Sequence, residues 1–107
     1  MSESRKALAH VVAWRLNGTT AQARVEQARR IVQEYEASRD AFQGLVRMEI
    51  GRNGADIDDA WDVVLYMVFA SREDFEAYRR HPEHLRLKAL IGPMRAARAQ
   101  VDFESEA

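Results

Sequence analysis

The run from Trp61 to Phe69 constrains the fold more than any other segment, because almost every position in it is apolar. Side chains of a β-strand alternate between two faces. Here both faces are apolar apart from Asp62 near the start, and two apolar faces are typical of a central strand buried between two layers. The two sets are Val63, Leu65, Met67 and Phe69 on one face, and Val64, Tyr66 and Val68 on the other.

Three other segments have strand patterns. His10–Leu16 is rich in β-branched and aromatic residues and ends at the turn signal Asn17-Gly18. Leu45–Ile50 alternates, which predicts a half-buried strand, and the glycine-containing stretch Gly51–Asp56 predicts a loop. Ala99–Phe103 predicts the last strand. In the second strand we expect Val46, Met48 and Ile50 to face one side and Arg47 and Glu49 the other.

The helices are indicated by their caps. Thr19 and Gln22 have the spacing of a capping box, which predicts a helix from about residue 20. Ser71 and Asp74 predict a second helix start. Pro82 should break that helix, because proline disfavours helical geometry in the residue before it. The apolar stripe of the first helix is Val25, Ala28, Val32 and Tyr35.

The predicted order is β-α-β-β-α-β, a ferredoxin-like α+β fold with a four-stranded antiparallel sheet and the helices on one face. Two helices cover only one face, so the second apolar face of the third strand needs another cover. The simplest cover is the same face of a second copy. We expect one domain over residues 8–104, with a disordered segment at 1–7 and a tail at 105–107.

Composition excludes several function classes. The net charge of −1 gives no global attraction for nucleic acid, and the absence of cysteine excludes thiolate chemistry and disulfides. The RNA-recognition domains that share this strand order carry a basic and glycine-rich third strand, unlike Asp62–Tyr66. No run of about 18 apolar residues is present. We therefore expect a cytoplasmic protein that binds neither nucleic acid nor membrane.

Four motifs occur along the chain: His10-Val11-Val12, Gly51-Arg52-Asn53, Phe69-x-Ser71-x-Glu73-Asp74 and Tyr78-x-x-His81-Pro82-x-His84. Together they resemble the stress-responsive α/β-barrel (Dabb) family over roughly residues 8 to 104. The resemblance implies a homodimer whose two sheets close a barrel. One plant branch of that family acts as a polyketide cyclase, with a catalytic tyrosine and histidine that match Tyr78 and His84, and a first-strand histidine that matches His10. This chain departs from that branch at Val63, a position where the plant cyclase has a further pocket histidine.

His84 is the sharpest catalytic candidate. If Pro82 opens a helix, His84 lies in its first turn, where the positive end of the helix dipole favours a neutral imidazole that can act as a base. Tyr78 would then hydrogen-bond a carbonyl or enolate oxygen. The alternative is structural: Tyr78 and His81 hold the helix break together, and His84 bonds a backbone carbonyl.

His10 shares a strand face with Val12, Trp14 and Leu16, so it either lines a pocket or is a satisfied core histidine. A metal site built from the three histidines His10, His81 and His84 is a weaker alternative, and we expect neither a metal nor another cofactor.

Four residues are candidates for ligand binding. Arg52 would meet an anionic ligand or pair with Asp56 or Asp62. Trp14 and Tyr66, together with Trp61 and Phe69, would line a pocket or form core and dimer contacts. His81 is the fourth candidate.

The sequence thus favours a homodimeric barrel that binds a small apolar or aromatic carbonyl compound, with His84, Tyr78 and His10 as catalytic residues if it is a cyclase-like acid/base enzyme. Whether it is an enzyme at all stays open. Two alternatives remain: a non-catalytic stress-responsive or interaction protein, and a cofactor-free monooxygenase of the same fold.

Overall fold

The computed structural model describes residues 6–55, 57 and 59–106. Its sheet has the strand order β2-β3-β1-β4, and every neighbouring pair is antiparallel, which confirms the predicted fold class. Short 3₁₀ turns follow α1 and α3. The elements are β1 (Ala7–Leu16), α1 (Ala21–Ala37), β2 (Leu45–Arg52), β3 (Val63–Phe69), α2 (Arg72–Arg80), α3 (Pro82–Ile91) and β4 (Arg95–Ser105).

One face of the sheet, here called the helix face, packs against the three helices. Ile31 of α1 and Leu87 of α3 are completely buried against it. Alternate residues of the two central strands supply a large part of this core, because alternation in a strand sends every second side chain to the same side. These strand residues are Leu8, Val12, Trp14, Leu16, Val63, Leu65, Met67 and Phe69.

The opposite side, here called the open face, has no helix over it. Ala7, Ala9 and Val68 form a small buried cluster there. Val101 is 61% exposed, and Val64 and Phe103 are each 46% exposed. Three large apolar side chains in water on one sheet face are unusual for an isolated domain and indicate an interaction surface.

The helix break occurs where proline predicts it. His81 has an extended backbone, and its Nδ1 accepts a hydrogen bond at 3.0 Å from the N–H of Glu83. Pro82 is the first residue of α3, a position where its missing N–H costs nothing. The Ser71 cap is also confirmed, because its hydroxyl accepts the Asp74 N–H at 3.1 Å.

Three local predictions are wrong. The cap of α1 is Thr20, whose hydroxyl accepts the Ala23 N–H at 3.0 Å, and not the Thr19–Gln22 box. Val46 is 61% exposed, because the β2–β3 register shifts beside it. Gly51 and Arg52 belong to β2 and pair with β3, so the loop begins only after them.

The first and last strands of the chain are longer than predicted. β1 begins at Ala7, β4 extends from Arg95 to Ser105, and the two strands pair along their whole length. β3 instead starts at Val63, two residues later than expected. The disorder predicted for residues 1–7 lies mostly outside the described residues, since only Lys6 and Ala7 are described. Ala107 of the predicted tail also lies outside them. Among the described helices, none is long and apolar enough to cross a membrane.

Gly44 offers a test of the packing between the β2 turn and α2. Its φ is +78°, and a Cβ there would lie 2.2 Å from the carboxylate carbon of Asp74. We expect Gly44→Ala to lower the free energy of unfolding by about 2 kcal/mol or more, since the left-handed backbone alone costs about 1–2 kcal/mol. Gly54→Ala is the control, because a Cβ there meets nothing within 4 Å. Urea denaturation showing equal effects for both variants would contradict this packing.

Candidate active site

Three ring side chains from separate elements meet between the sheet and the helices. His10 lies in the helix-facing row of β1, Tyr78 lies on the buried side of α2, and His84 lies in the first turn of α3. The ring centroids of Tyr78 and His84 are 4.2 Å apart, and those of His10 and Tyr78 are 5.7 Å apart. The structure therefore brings the three predicted catalytic residues into one cluster, here called the ring cluster, on the helix face rather than on the open face that would line a dimer barrel.

His10 is held by a carboxylate on the neighbouring strand. The β1–β4 register places Asp102 opposite His10, and Asp102 Oδ1 lies 2.6 Å from His10 Nδ1. A carboxylate can only accept from this ring, so Nδ1 carries the proton and Nε2 keeps its lone pair. Gln100 donates to the second oxygen of Asp102 at 2.8 Å.

The environment lowers the pKa of His10. Burial is the main cause, and the charges of Arg98 and Arg79 act in the same direction, whereas Asp102 opposes them. His10 is only 4% exposed. A neutral imidazole oriented by a carboxylate is the state in which histidine accepts a proton.

Tyr78 remains a phenol. It is 2% exposed, and burial followed by the neighbouring Tyr35 raises its pKa above the ordinary value. The Tyr78 and Tyr35 hydroxyls are 3.0 Å apart. If Tyr35 donates in this bond, the Tyr78 hydroxyl keeps its own proton for another acceptor.

His84 is neutral, as the sequence predicts, but chiefly for another reason. Burial lowers the pKa of His84 to about 4, and the charges of Lys88, His10 and Arg98 add to this effect. Its Nδ1 lies 3.2 Å from the carbonyl oxygen of Arg79. Because a carbonyl oxygen only accepts, Nδ1 carries the proton and Nε2 is free to act as a base.

The four ligand-binding candidates do not share one location. His81 and Trp14 border the ring cluster: the His81 ring lies 5.3 Å from that of Phe42, which contacts Tyr78, and the Trp14 ring lies 6.2 Å from that of Tyr35. Tyr66 lies on the open face, where the Arg47 guanidinium is 5.4 Å from its ring centroid. Tyr66 is thus separated from His84 by the sheet itself.

Arg52 lies away from the ring cluster, on a groove of about 1000 Å³ beside the start of α1. Among the described residues, Arg52 forms no ion pair with Asp62, whose carboxylate accepts the Leu16 N–H at 2.8 Å. Asp56, the other expected partner, lies outside the described residues. Arg15 and Arg24 also line the groove, and each donates to a backbone carbonyl.

The three histidines do not form a metal site. Each Nδ1 has a protein partner, namely Asp102, Glu83 or Arg79. Within the described part of the chain, no group of three or more histidine, aspartate or glutamate residues is placed to hold a metal ion.

Sequence reasoning missed three residues of this region: Asp102, Tyr35 and Arg98. Tyr35 belongs to an amphipathic stripe and was interpreted only as a packing residue. Asp102 shares one face of β4 with Gln100 and Glu104, and such a row of polar side chains is typical of any strand face exposed to water. Only the register between β1 and β4 shows that Asp102 faces His10.

Solved structures with known folds match this arrangement. A dimeric ferredoxin-like protein from Thermobifida fusca has 22% identity and a TM-score of 0.82, covering 97% of this chain and 95% of that chain. The hydroxynitrile lyase of Passiflora edulis has 16% identity and a TM-score of 0.76, covering 95% and 94%. SnoaB, a cofactor-independent oxygenase from Streptomyces nogalater, has 14% identity and a TM-score of 0.71, covering 92% and 91%. These likenesses show the fold.

Comparison with curated proteins finds no match. The sequence profile of one family, described as the stress responsive A/B barrel domain, matches residues 8–105, which is nearly the whole chain. The strand order and the helix layer agree with that assignment. This chain is therefore a member of the Dabb family.

Proposed function

We propose that this protein is an acid–base enzyme that acts on a small apolar or aromatic carbonyl compound, in the manner of a polyketide cyclase. The observation that supports it most is the position of Tyr78, whose ring contacts His84 at 4.2 Å and lies 5.7 Å from His10. A protonated phenol beside two neutral imidazoles combines a hydrogen-bond donor with two bases.

The chemistry follows from the free atoms. Nε2 of His84 removes a proton from the carbon next to the substrate carbonyl, and the electron pair of that C–H bond moves onto the carbonyl oxygen. Tyr78 donates a hydrogen bond to this oxygen, where negative charge develops. His10, held by Asp102, orients the substrate. Return of the proton from His84 to the product restores the site.

Two fold relatives support an enzymatic role, because a hydroxynitrile lyase and a cofactor-independent oxygenase share this architecture. Because one of these relatives is a cofactor-independent oxygenase, a cofactor-free monooxygenase remains an alternative function for this chain. Oxygen consumption with an aromatic substrate would test it.

The packing favours a different rival, a non-catalytic stress-responsive or interaction protein. Tyr78 and His10 are almost completely buried, and every buried side-chain nitrogen or oxygen of the described residues has a hydrogen-bond partner. Burial and complete hydrogen bonding are all that a purely structural role of these residues requires.

The open face supports a homodimer. Val101 and Phe103 of β4 lie beside the buried cluster of Ala9 and Val68, so an apolar surface extends over several strands. The Thermobifida fusca relative is described as dimeric. We propose that the open faces of two copies of this chain pack together and that the protein is found in the cytoplasm.

Proton exchange tests the catalytic proposal without the natural substrate. We expect the protein to accelerate exchange of the acetyl protons of aryl methyl ketones in D₂O, followed by NMR. His84→Gln and Tyr78→Phe should each reduce the enzymatic rate by about 100-fold, the usual scale of general acid–base catalysis.

Tyr66→Phe is the matched control, because it removes the same hydroxyl from the other side of the sheet and should leave the rate unchanged. Wild-type exchange no faster than with free imidazole, or an unchanged rate in both site variants, would favour the non-catalytic rival.

The low pKa of His84 predicts a pH dependence of stability. The pKa is about 4 in the folded chain against an ordinary 6.5, so the unfolded chain binds the proton first as the pH falls. His84 therefore gives its full stability above about pH 6.5 and lowers the free energy of unfolding as the pH falls toward 4. Urea titrations at pH 7 and pH 5 should show a smaller loss in His84→Gln than in wild type. Equal losses would show that His84 titrates normally.

A charge on the open face tests the dimer. We expect Val101→Glu to shift the protein from the mass of two chains to that of one in analytical ultracentrifugation, because the carboxylate would be buried against the second copy. Leu85→Glu is the control: Leu85 is 51% exposed on α3, in the helix layer, and should leave the mass unchanged. A wild-type protein that stays monomeric at high concentration would contradict the dimer.

A further inference from the structure

An exposed row of side chains on β4 borders the ring cluster. β4 is an edge strand, and its register with β1 places Arg98 opposite Trp14, Gln100 opposite Val12 and Asp102 opposite His10. Directly opposed residues of an antiparallel pair share a face, so these three β4 side chains are on the helix face. All three are exposed. The row therefore forms a solvent-facing border beside buried His10.

The charge of Arg98 acts on four titratable rings of the region. It lowers the pKa of His10 and His84, and also that of the phenols Tyr35 and Tyr78. Among the described residues, Arg79 acts on His10 and Lys88 acts on His84, but neither acts on all four rings. Arg98 thus lies on the same face of β4 as Asp102, the partner of His10, and its charge acts on the rings of the proposed site.

The nearby carboxylates are already engaged. Asp102 binds His10, Glu76 pairs with Arg79 at 3.0 Å, and Glu83 pairs with Arg86 at 2.8 Å. Glu104, the next residue of the row, lies 4.0 Å from Lys6.

Two cations whose charges act on His84 remain without such a partner. Within residues 6–55, 57 and 59–106, neither Arg98 nor Lys88, which also acts on His84, forms an ion pair. The guanidinium of Arg98 is therefore not neutralised by a carboxylate of the described residues, and an anionic ligand would complement it.

We propose that Arg98 binds the carboxylate of the substrate, so that the site takes keto acids in preference to neutral ketones. The inference rests on the proposed acid–base function and names its substrate class. A guanidinium presents paired N–H donors that match the two oxygens of a carboxylate. Its position on an exposed edge would hold the charged end in water while the carbonyl end reaches Tyr78 and His84.

A matched pair of probes tests this assignment: 4-acetylbenzoate and its uncharged methyl ester. We expect ligand-observed NMR to show tighter binding of the acid at low salt, weakening as salt screens the charge. Arg98→Gln should raise the Kd of the acid about 10-fold and leave that of the ester unchanged. Arg95→Gln removes the other arginine of β4 and should change neither.

The outcomes separate this inference from the catalytic proposal. Binding of the acid that depends on Arg98, without proton exchange, would support the carboxylate site and contradict catalysis. Exchange that depends on His84, at equal rates and affinities for acid and ester, would support catalysis and overturn the carboxylate site. An unchanged Kd for the acid in Arg98→Gln, or no saturable binding of the acid, would also overturn it.

Discussion

The antiparallel pairing of β1 with β4 is the constraint on which both the core and the ring cluster depend. The helix-facing row of β1 supplies Leu8, Val12 and Trp14 to the core, and His10 stands in the same row. An imidazole buried among such neighbours needs a hydrogen-bond partner. The register supplies Asp102 at 2.6 Å. One pairing thus completes the sheet and satisfies its one buried histidine.

The two faces of the sheet differ in what covers them. The helix face is closed by the helices of the same chain, and the break at Pro82 turns the chain so that His84 returns over Tyr78. The open face keeps Val101 and Phe103 in contact with water. A ligand in the ring cluster and a second copy on the open face would therefore not compete for the same surface.

The sequence predicts what depends on local rules. The two-sided apolar pattern of β3, the Ser71 cap and the break at Pro82 all follow from residues close in the chain. Features that depend on contacts between distant parts of the chain are not predicted. His10 and Asp102 are 92 positions apart, and their meeting depends on a register that no local pattern encodes. Tyr66 is a pocket candidate from its residue type, but it lies on the open face with Val68, as the alternation of β3 indicates.

Direct titration of the imidazoles tests the central claim, that burial keeps His84 and His10 neutral beside a protonated phenol. Nitrogen-detected NMR of the side chains reports both the pKa and the proton position. The account predicts that His84 titrates near pH 4, with the proton on Nδ1 in both rings at neutral pH. A His84 pKa at its ordinary value, or a proton on Nε2, would contradict it.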